Sequence, residues 1–275
     1  MRGFKGKVSL PSMITYIREK IHKWPPDNGN NIIVQEDEGV RSLYFATSDV
    51  QSSMRLSDHF KLELGYTRTM MGFLLFIDDP NNILNILIVG LGGGSLSKYC
   101  YRQFPKAHIT TLEINQEVIE LRDNFLIPSD DERFLVVHTD AADYLDGDNI
   151  HADVILLDGF DSEGLPENLR SESFYANCWR ALSPRGVLVA NFLKSNRQVG
   201  VYVDRLNSVF KNQVWFAKAF ESTNLIAFGI KDQSYSPHRP VVAMKAHQME
   251  SDYHLNLPGV LKNMHRRTKL TAIRN

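Results

Sequence analysis

The sequence predicts an α/β fold: a mostly parallel, seven-stranded sheet with one antiparallel strand, preceded by a small N-terminal β unit. Three observations carry that prediction. The run Ile86-Leu-Ile-Val-Gly90-Leu-Gly92-Gly93-Gly94-Ser95 is a short apolar strand entering a glycine turn, followed at once by the helix-like Leu96 to Phe104. From Ile83 onward apolar strands alternate with helical stretches, the pattern of right-handed βαβ crossovers. Successive strands also end on an acid, at Glu113, Asp140 and Asp158.

Taken in order, Ile14, Ile17 and Ile21 share one face of an N-terminal helix that Pro25-Pro26 ends. Ile32 to Val34 and Arg41 to Phe45 predict paired strands around the turn Asp37-Glu38-Gly39, with Asp49 to Ser53 as a third. Leu62 to Ile77 predicts one apolar helix, stopped by Asp78-Asp-Pro-Asn-Asn82. Strands are expected at 86–89, 108–112, 134–138, 153–157, 187–192, 214–220 and 225–230, and helices at 96–104, 116–125, 171–182 and 199–210. After Pro237 the rhythm is lost, with Leu255 to His265 as a last helix. The expected division is residues 1–78 for the N-terminal helix, β unit and connecting helix, and residues 79–275 for the nucleoside-binding domain.

Of the 275 residues, 43% are hydrophobic and 23% charged, an ordinary globular composition, and the net charge of −1 gives no electrostatic case for a nucleic-acid or membrane partner. Cys100 and Cys178 lie far apart on helix-like segments and predict buried free thiols. No apolar leader with a cleavage site opens the chain, and the expectation is a cytoplasmic protein. The scattered histidines match no metal-ligand spacing, and no nucleophile elbow is present, so no metal is expected.

The glycine turn suits an anionic or closely approaching ligand, because no Cβ bars the way and a helix N-terminus lies behind it. A dinucleotide fingerprint would place glycine at position 95, where Ser95 stands. The pattern here is G-x-G-x-G, at Gly90, Gly92 and Gly94. Glu113 suits the two ribose hydroxyls of an adenosine, and Asp140 is placed to accept from the adenine amino group. This combination fits an S-adenosyl sulfonium better than a nicotinamide dinucleotide. The plainer readings are a solvated strand end for Glu113 and a helix cap for Asp140, ahead of Ala141-Ala-Asp-Tyr-Leu145. Asp158-Gly-Phe-Asp161 offers a second pair of carboxylates, able to take a proton from an incoming amine, with a turn cap or salt bridge as the alternative for Asp161.

With these residues assembled, the chain resembles the spermidine synthase (polyamine aminopropyltransferase) family over roughly residues 30–230. The matching pieces are Arg41-Ser-Leu-Tyr44, Asp49-Val-Gln51, Ile88 to Gly94, Leu112-Glu-Ile-Asn115, Leu156 to Asp161, Ser173 to Leu182 and Gly186 to Ala190. The resemblance implies a methyltransferase-like Rossmann domain behind the β unit, a homodimer, and decarboxylated S-adenosylmethionine as a co-substrate, with no tightly bound cofactor. It implies that Gln51, Gly90, Gly92, Gly93 and Gly94 lie along the donor, that Glu113 takes the ribose, and that Asp140 and Ala141 take the adenine. Asp158 would be the base toward an amine acceptor and would also line the donor, with Asp161 and Tyr66 beside it.

The chain also departs from that pattern. The family's glycine loop carries an aspartate for the donor's ammonium where Gly93 stands, which makes intact S-adenosylmethionine, and hence methyl transfer to a small acceptor, the alternative. The family's Tyr-His-Glu-Met becomes Tyr66-Thr67-Arg68-Thr69, and an arginine is a poor neighbour for a diamine's far ammonium. Its Tyr-Pro-Gly-Gly loop becomes Phe220-Glu-Ser-Thr-Asn224. A catalytically silent binding protein on the same fold is the remaining expectation.

Overall fold

The computed structural model describes residues 32–45, 50–160, 165–193 and 196–266. All described residues belong to one compact unit, within Ile32–Asn275. The expected N-terminal helix, Asp49 and Asp161 lie outside the described residues.

Strands β1 (Ile33–Asp37), β2 (Val40–Tyr44) and β3 (Val50–Arg55) form an antiparallel sheet. The β1–β2 turn is two residues long, and both Glu38 (φ +48°) and Gly39 (φ +75°) are left-handed, the backbone that matches the twist of a tight hairpin. The single helix expected over 62–77 is instead a short α1 (Gly65–Met70) running into a 3₁₀ segment, Met71–Leu75. Two glycines hold this segment close to its neighbours. Gly65 and Gly72 are packed so closely that a Cβ would lie 2.1 Å from the Phe220 carbonyl oxygen and 2.8 Å from Val260 Cγ1, respectively.

The main sheet is built from β4 (Asn85–Val89), β5 (His108–Glu113), β6 (Phe134–His138), β7 (Ala152–Leu157), β8 (Leu182–Phe192), β9 (Val214–Lys218), β10 (Leu225–Ile230) and β11 (Met264–Arg266). Its order is β11-β9-β10-β8-β7-β4-β5-β6. Strands β6, β5, β4, β7 and β8 pair in parallel, while β10 runs antiparallel to both β8 and β9. All seven expected strands are present. The eighth, β11, pairs antiparallel with β9 where the last helix was expected to continue to His265.

Helices α2 (Ser95–Gln103), α3 (Gln116–Glu120), α4 (Ala141–Asp146), α5 (Glu172–Ala181) and α6 (Val199–Val209) connect the strands. Helix α3 stops five residues short of the expected Phe125, and turns carry the chain on to Leu126. Residues beyond Pro237 form α7 (Arg239–Tyr253) and α8 (Leu257–Asn263). The sequence reading missed α7 because it buries only Ala246 and Met249, too few apolar positions to mark a face. Its one local signal is Pro240 in the first turn.

The central strands β4, β7 and β8 each carry a run of at least four apolar residues because both sheet faces are covered. Ile86 and Ile88 pack into one core with Met70, Phe73 and Phe228, and Leu87 and Val89 into the other with Phe174, Tyr175 and Tyr202. Cys100 and Cys178 are free and buried, as expected. Among the described residues no helix is long and apolar enough to cross a membrane.

Candidate active site

A cavity of about 800 Å³ opens at the carboxyl ends of the parallel strands, where ligands bind in open α/β sheets. Gly90, Gly92, Glu113, Asp140, Ala141 and Asp158 line it from the main sheet, Gln51 from β3 and Tyr66 from α1. The sequence therefore named residues from six separate segments that the fold brings to one place.

The glycine turn works through close packing. Gly90 has φ +96°, and a Cβ there would sit 2.5 Å from the Asp158 carbonyl oxygen, so only glycine lets β4 and β7 end side by side. Gly93 and Gly94 are not among the lining residues. A Cβ on Gly93 would lie 2.7 Å from Ser52 Oγ and 2.8 Å from the Phe125 ring. The space for a side chain at position 93 is thus filled by β3 and by the turn before β6. The Ser52 and Ser95 hydroxyls, 3.2 Å apart, both face the cavity beside it.

Glu113 is oriented by two backbone donors. Its Oε2 accepts from Leu91 N–H at 2.8 Å and its Oε1 from Asn115 N–H at 2.9 Å, leaving a lone pair on each oxygen for a diol. Asp140 caps α4, accepting from Ala142 N–H at 2.7 Å, and also accepts from the Asn168 amide at 2.8 Å. The cap reading of Asp140 is correct, and the same residue lines the cavity.

Asp158 sits at the end of β7 with both oxygens engaged. Oδ1 accepts from the Asn191 side-chain amide at 2.8 Å and Oδ2 from the Tyr66 hydroxyl at 3.1 Å. Burial in this apolar strand end pushes the Asp158 carboxyl up to about 7, against the pull of the Asn191 and Tyr66 hydrogen bonds. Burial, with the neighbouring Asp158 charge, pushes the Tyr66 phenol well above its usual range and keeps it a proton donor. Sequence reasoning missed Asn191 and its partner Asn224, whose amide donates to Asn191 Oδ1 at 2.9 Å. An asparagine inside an apolar strand, Val187 to Phe192, is the signal that could have found them.

Arg68 does not line the cavity. Its Nη1 donates to the carbonyls of Leu62 and Glu63, and its Nη2 pairs with Glu221 Oε2 at 2.6 Å. Glu221 does line the cavity, as does Glu63, which is held by Arg55 and Lys61. Among the described lining residues are five carboxylates, Glu63, Glu113, Asp140, Asp158 and Glu221, and no lysine, arginine or histidine.

The spermine/spermidine synthase domain matches residues 63–216. A polyamine aminopropyltransferase of Chromobacterium violaceum is 33% identical over 240 residues, covering 87% of this chain and 91% of the relative. In fold, the chain is similar to a probable spermidine synthase from Corynebacterium glutamicum, with a TM-score of 0.66 and 21% identity over 81% of this chain and 88% of that one. It is also similar to human methyltransferase-like protein 13 in complex with SAH, with a TM-score of 0.63 and 23% identity over 76% of this chain and 97% of that one.

Proposed function

This chain belongs to the spermine/spermidine synthase family, and within it we propose that it transfers an aminopropyl group from decarboxylated S-adenosylmethionine to an amine acceptor. The observation that carries the reading is the acidic lining of the cavity: among the described residues five carboxylates and no cation line it, with the cations that pair Glu63 and Glu221 outside the lining. Such a wall favours ligands that are themselves cationic, here a sulfonium donor with an ammonium arm and an amine acceptor. The curated relative's name points to the same chemistry.

In this reading Glu113 holds the ribose, the Asp140 and Ala141 corner holds the adenine, and Gln51, Gly90 and Gly92 run along the donor. The acceptor nitrogen attacks the donor carbon next to sulfur. The new C–N bond forms as the C–S bond breaks, and the electron pair leaves on sulfur, giving a neutral thioether, methylthioadenosine. The proton lost from nitrogen passes to Asp158, whose elevated value near 7 suits a base working at neutral pH. Tyr66 and Asn191 keep its two oxygens aimed. Asp161 is assigned no step.

The alternative is methyl transfer from intact S-adenosylmethionine. It is supported by the glycine at position 93 and by likeness in fold to a methyltransferase in complex with SAH. Against it, an intact donor brings a carboxylate into a cavity whose described walls offer it no cation. The reading includes a homodimer in the cytoplasm with no nucleic-acid or membrane partner, supported by the family and the near-neutral charge.

The test is product analysis. Incubation with each donor and a panel of amines is expected to release methylthioadenosine with the decarboxylated donor. Release of SAH and a methylated acceptor with the intact donor, and no methylthioadenosine with the other, would replace this reading with the alternative.

A further inference from the structure

We propose that Glu221, on the loop between β9 and β10, receives the second ammonium of a di- or polyamine acceptor, and that Arg68 positions it for this. The proposal rests on the aminopropyl-transfer reading for the identity of the first amine, and on the arrangement of the cavity wall for the second.

The five lining carboxylates are not equally available. Glu63 has both oxygens bound by Arg55, at 3.0 and 2.8 Å. Glu113 is turned by two backbone amides, and Asp140 is engaged by its cap and by Asn168. Asp158 is the base. Glu221 alone has an oxygen, Oε1, that accepts from no described residue, while Oε2 is held by Arg68. Its side chain is 72% exposed, so a ligand entering the cavity mouth can reach it.

Glu221 is also fixed relative to Asp158 by a closed ring of contacts. One arm runs from Asp158 through the Tyr66 hydroxyl and along α1 to Arg68, two residues on. The other runs from Asp158 through Asn191 to Asn224, three residues past Glu221. The 2.6 Å ion pair between Arg68 and Glu221 closes it. The loop itself is clamped onto α1, since Phe220 N–H donates to Thr69 Oγ1 and its carbonyl oxygen fills the space a Cβ on Gly65 would need.

The backbone at Glu221 is left-handed, with φ +56°, as at Glu38 in the β1–β2 turn. An exposed ion pair stabilises a fold very little, so stability alone does not account for the pair. It is accounted for if the loop must present a carboxylate to the cavity. The arginine on α1, which the sequence marked as hostile to a diamine, is neutralised by Glu221, and the pair leaves Glu221 Oε1 as an acceptor on the cavity wall. A rigidly placed carboxylate and a base at a fixed separation select an acceptor with two amines, because only its far end gains a charge-assisted hydrogen bond.

The test uses Glu221→Gln, which keeps an oxygen for Arg68 and removes only the charge. Binding of an α,ω-diamine and of the monoamine of equal chain length is measured by calorimetry with methylthioadenosine present, alongside kcat and KM for both. The expected result is a roughly 10-fold loss of diamine affinity and a matching rise in its KM, with a clearly smaller change in kcat and in the monoamine values. Equal losses for diamine and monoamine would show that Glu221 only clamps its loop, and no change for either would show that it reads nothing; each overturns the proposal. Because binding is read without turnover, a wild-type protein that prefers the diamine but makes no alkylated amine would overturn the aminopropyl-transfer reading while leaving Glu221 in its role.

Discussion

Asn191 donates its side-chain amide to Asp158 at 2.8 Å, from the strand that pairs in parallel with the one Asp158 ends. That bond stabilises the charged carboxylate in a place where burial opposes charge, and the balance leaves Asp158 near 7. The first prediction follows from it. Replacing Asn191 with leucine removes a donor to the ionised form, so the pKa of Asp158 rises further. The acid limb of the kcat/KM profile is expected to move to higher pH, while the rate on the alkaline plateau changes less. A limb that stays near pH 7 would mean that Asp158 is not the group being titrated.

Asp158→Asn keeps the shape and removes the base. Turnover is expected to fall by about 10²–10⁴-fold, the usual contribution of a positioned base. Affinity for methylthioadenosine, by calorimetry, should stay close to that of the parent.

The same variant carries a stability signature. The folded carboxyl titrates near 7, above its unfolded value of 3.8, so the unfolded chain holds fewer protons between those limits. Stability linked to Asp158 is therefore fully present below about pH 4 and is lost as pH rises through 7. Asp158→Asn should be more stable than the parent at pH 8, by on the order of 1–3 kcal/mol, with the gap closing toward pH 4. Thermal unfolding at pH 4.5, 6 and 8 measures it, and a gap independent of pH would contradict the assignment.

Lys98 is fully buried on α2, where its ammonium donates to the Phe125 carbonyl at 2.6 Å and meets Met54 sulfur at 3.0 Å. Burial pushes its pKa down to about 7 from 10.5. Between those values the unfolded chain binds the extra proton, so this residue makes stability rise with pH from about 7 to 10.5. Lys98→Met should flatten that rise and stabilise the protein near pH 6, where the parent must bury a charge. Unfolding midpoints at pH 6 and pH 9 test both signs.

Gly93→Asp, which restores the family's carboxylate, is expected to destabilise by about 1–3 kcal/mol, because the new Cβ meets Ser52 and Phe125. Adding Phe125→Ala should recover part of the donor affinity lost in the single variant. Equal donor affinity in parent and single variant, by calorimetry, would show that the glycine turn yields more readily than its packing implies.

Most of the main sheet was legible in the sequence because burial on both faces leaves uninterrupted apolar runs at 86–89, 154–157 and 187–190. Acids at the strand ends marked the ligand side because successive parallel strands end on the same edge. Helix α7 was not legible, since two buried residues leave no periodic face, and the close packing of Gly65 on Phe220 and of Gly72 on Val260 joins segments that the local sequence cannot bring together.

The sequence by itself determined the fold, the glycine turn and the three acids Glu113, Asp140 and Asp158, because those follow from local pattern and strand order. The tertiary structure alone decided what surrounds them. It set Asn191 and Tyr66 on Asp158, filled the space at Gly93 with Phe125, and paired Arg68 with Glu221 across 153 positions of chain. Those contacts join segments far apart in sequence, and a carboxylate's working charge depends on burial and on such neighbours rather than on its own identity.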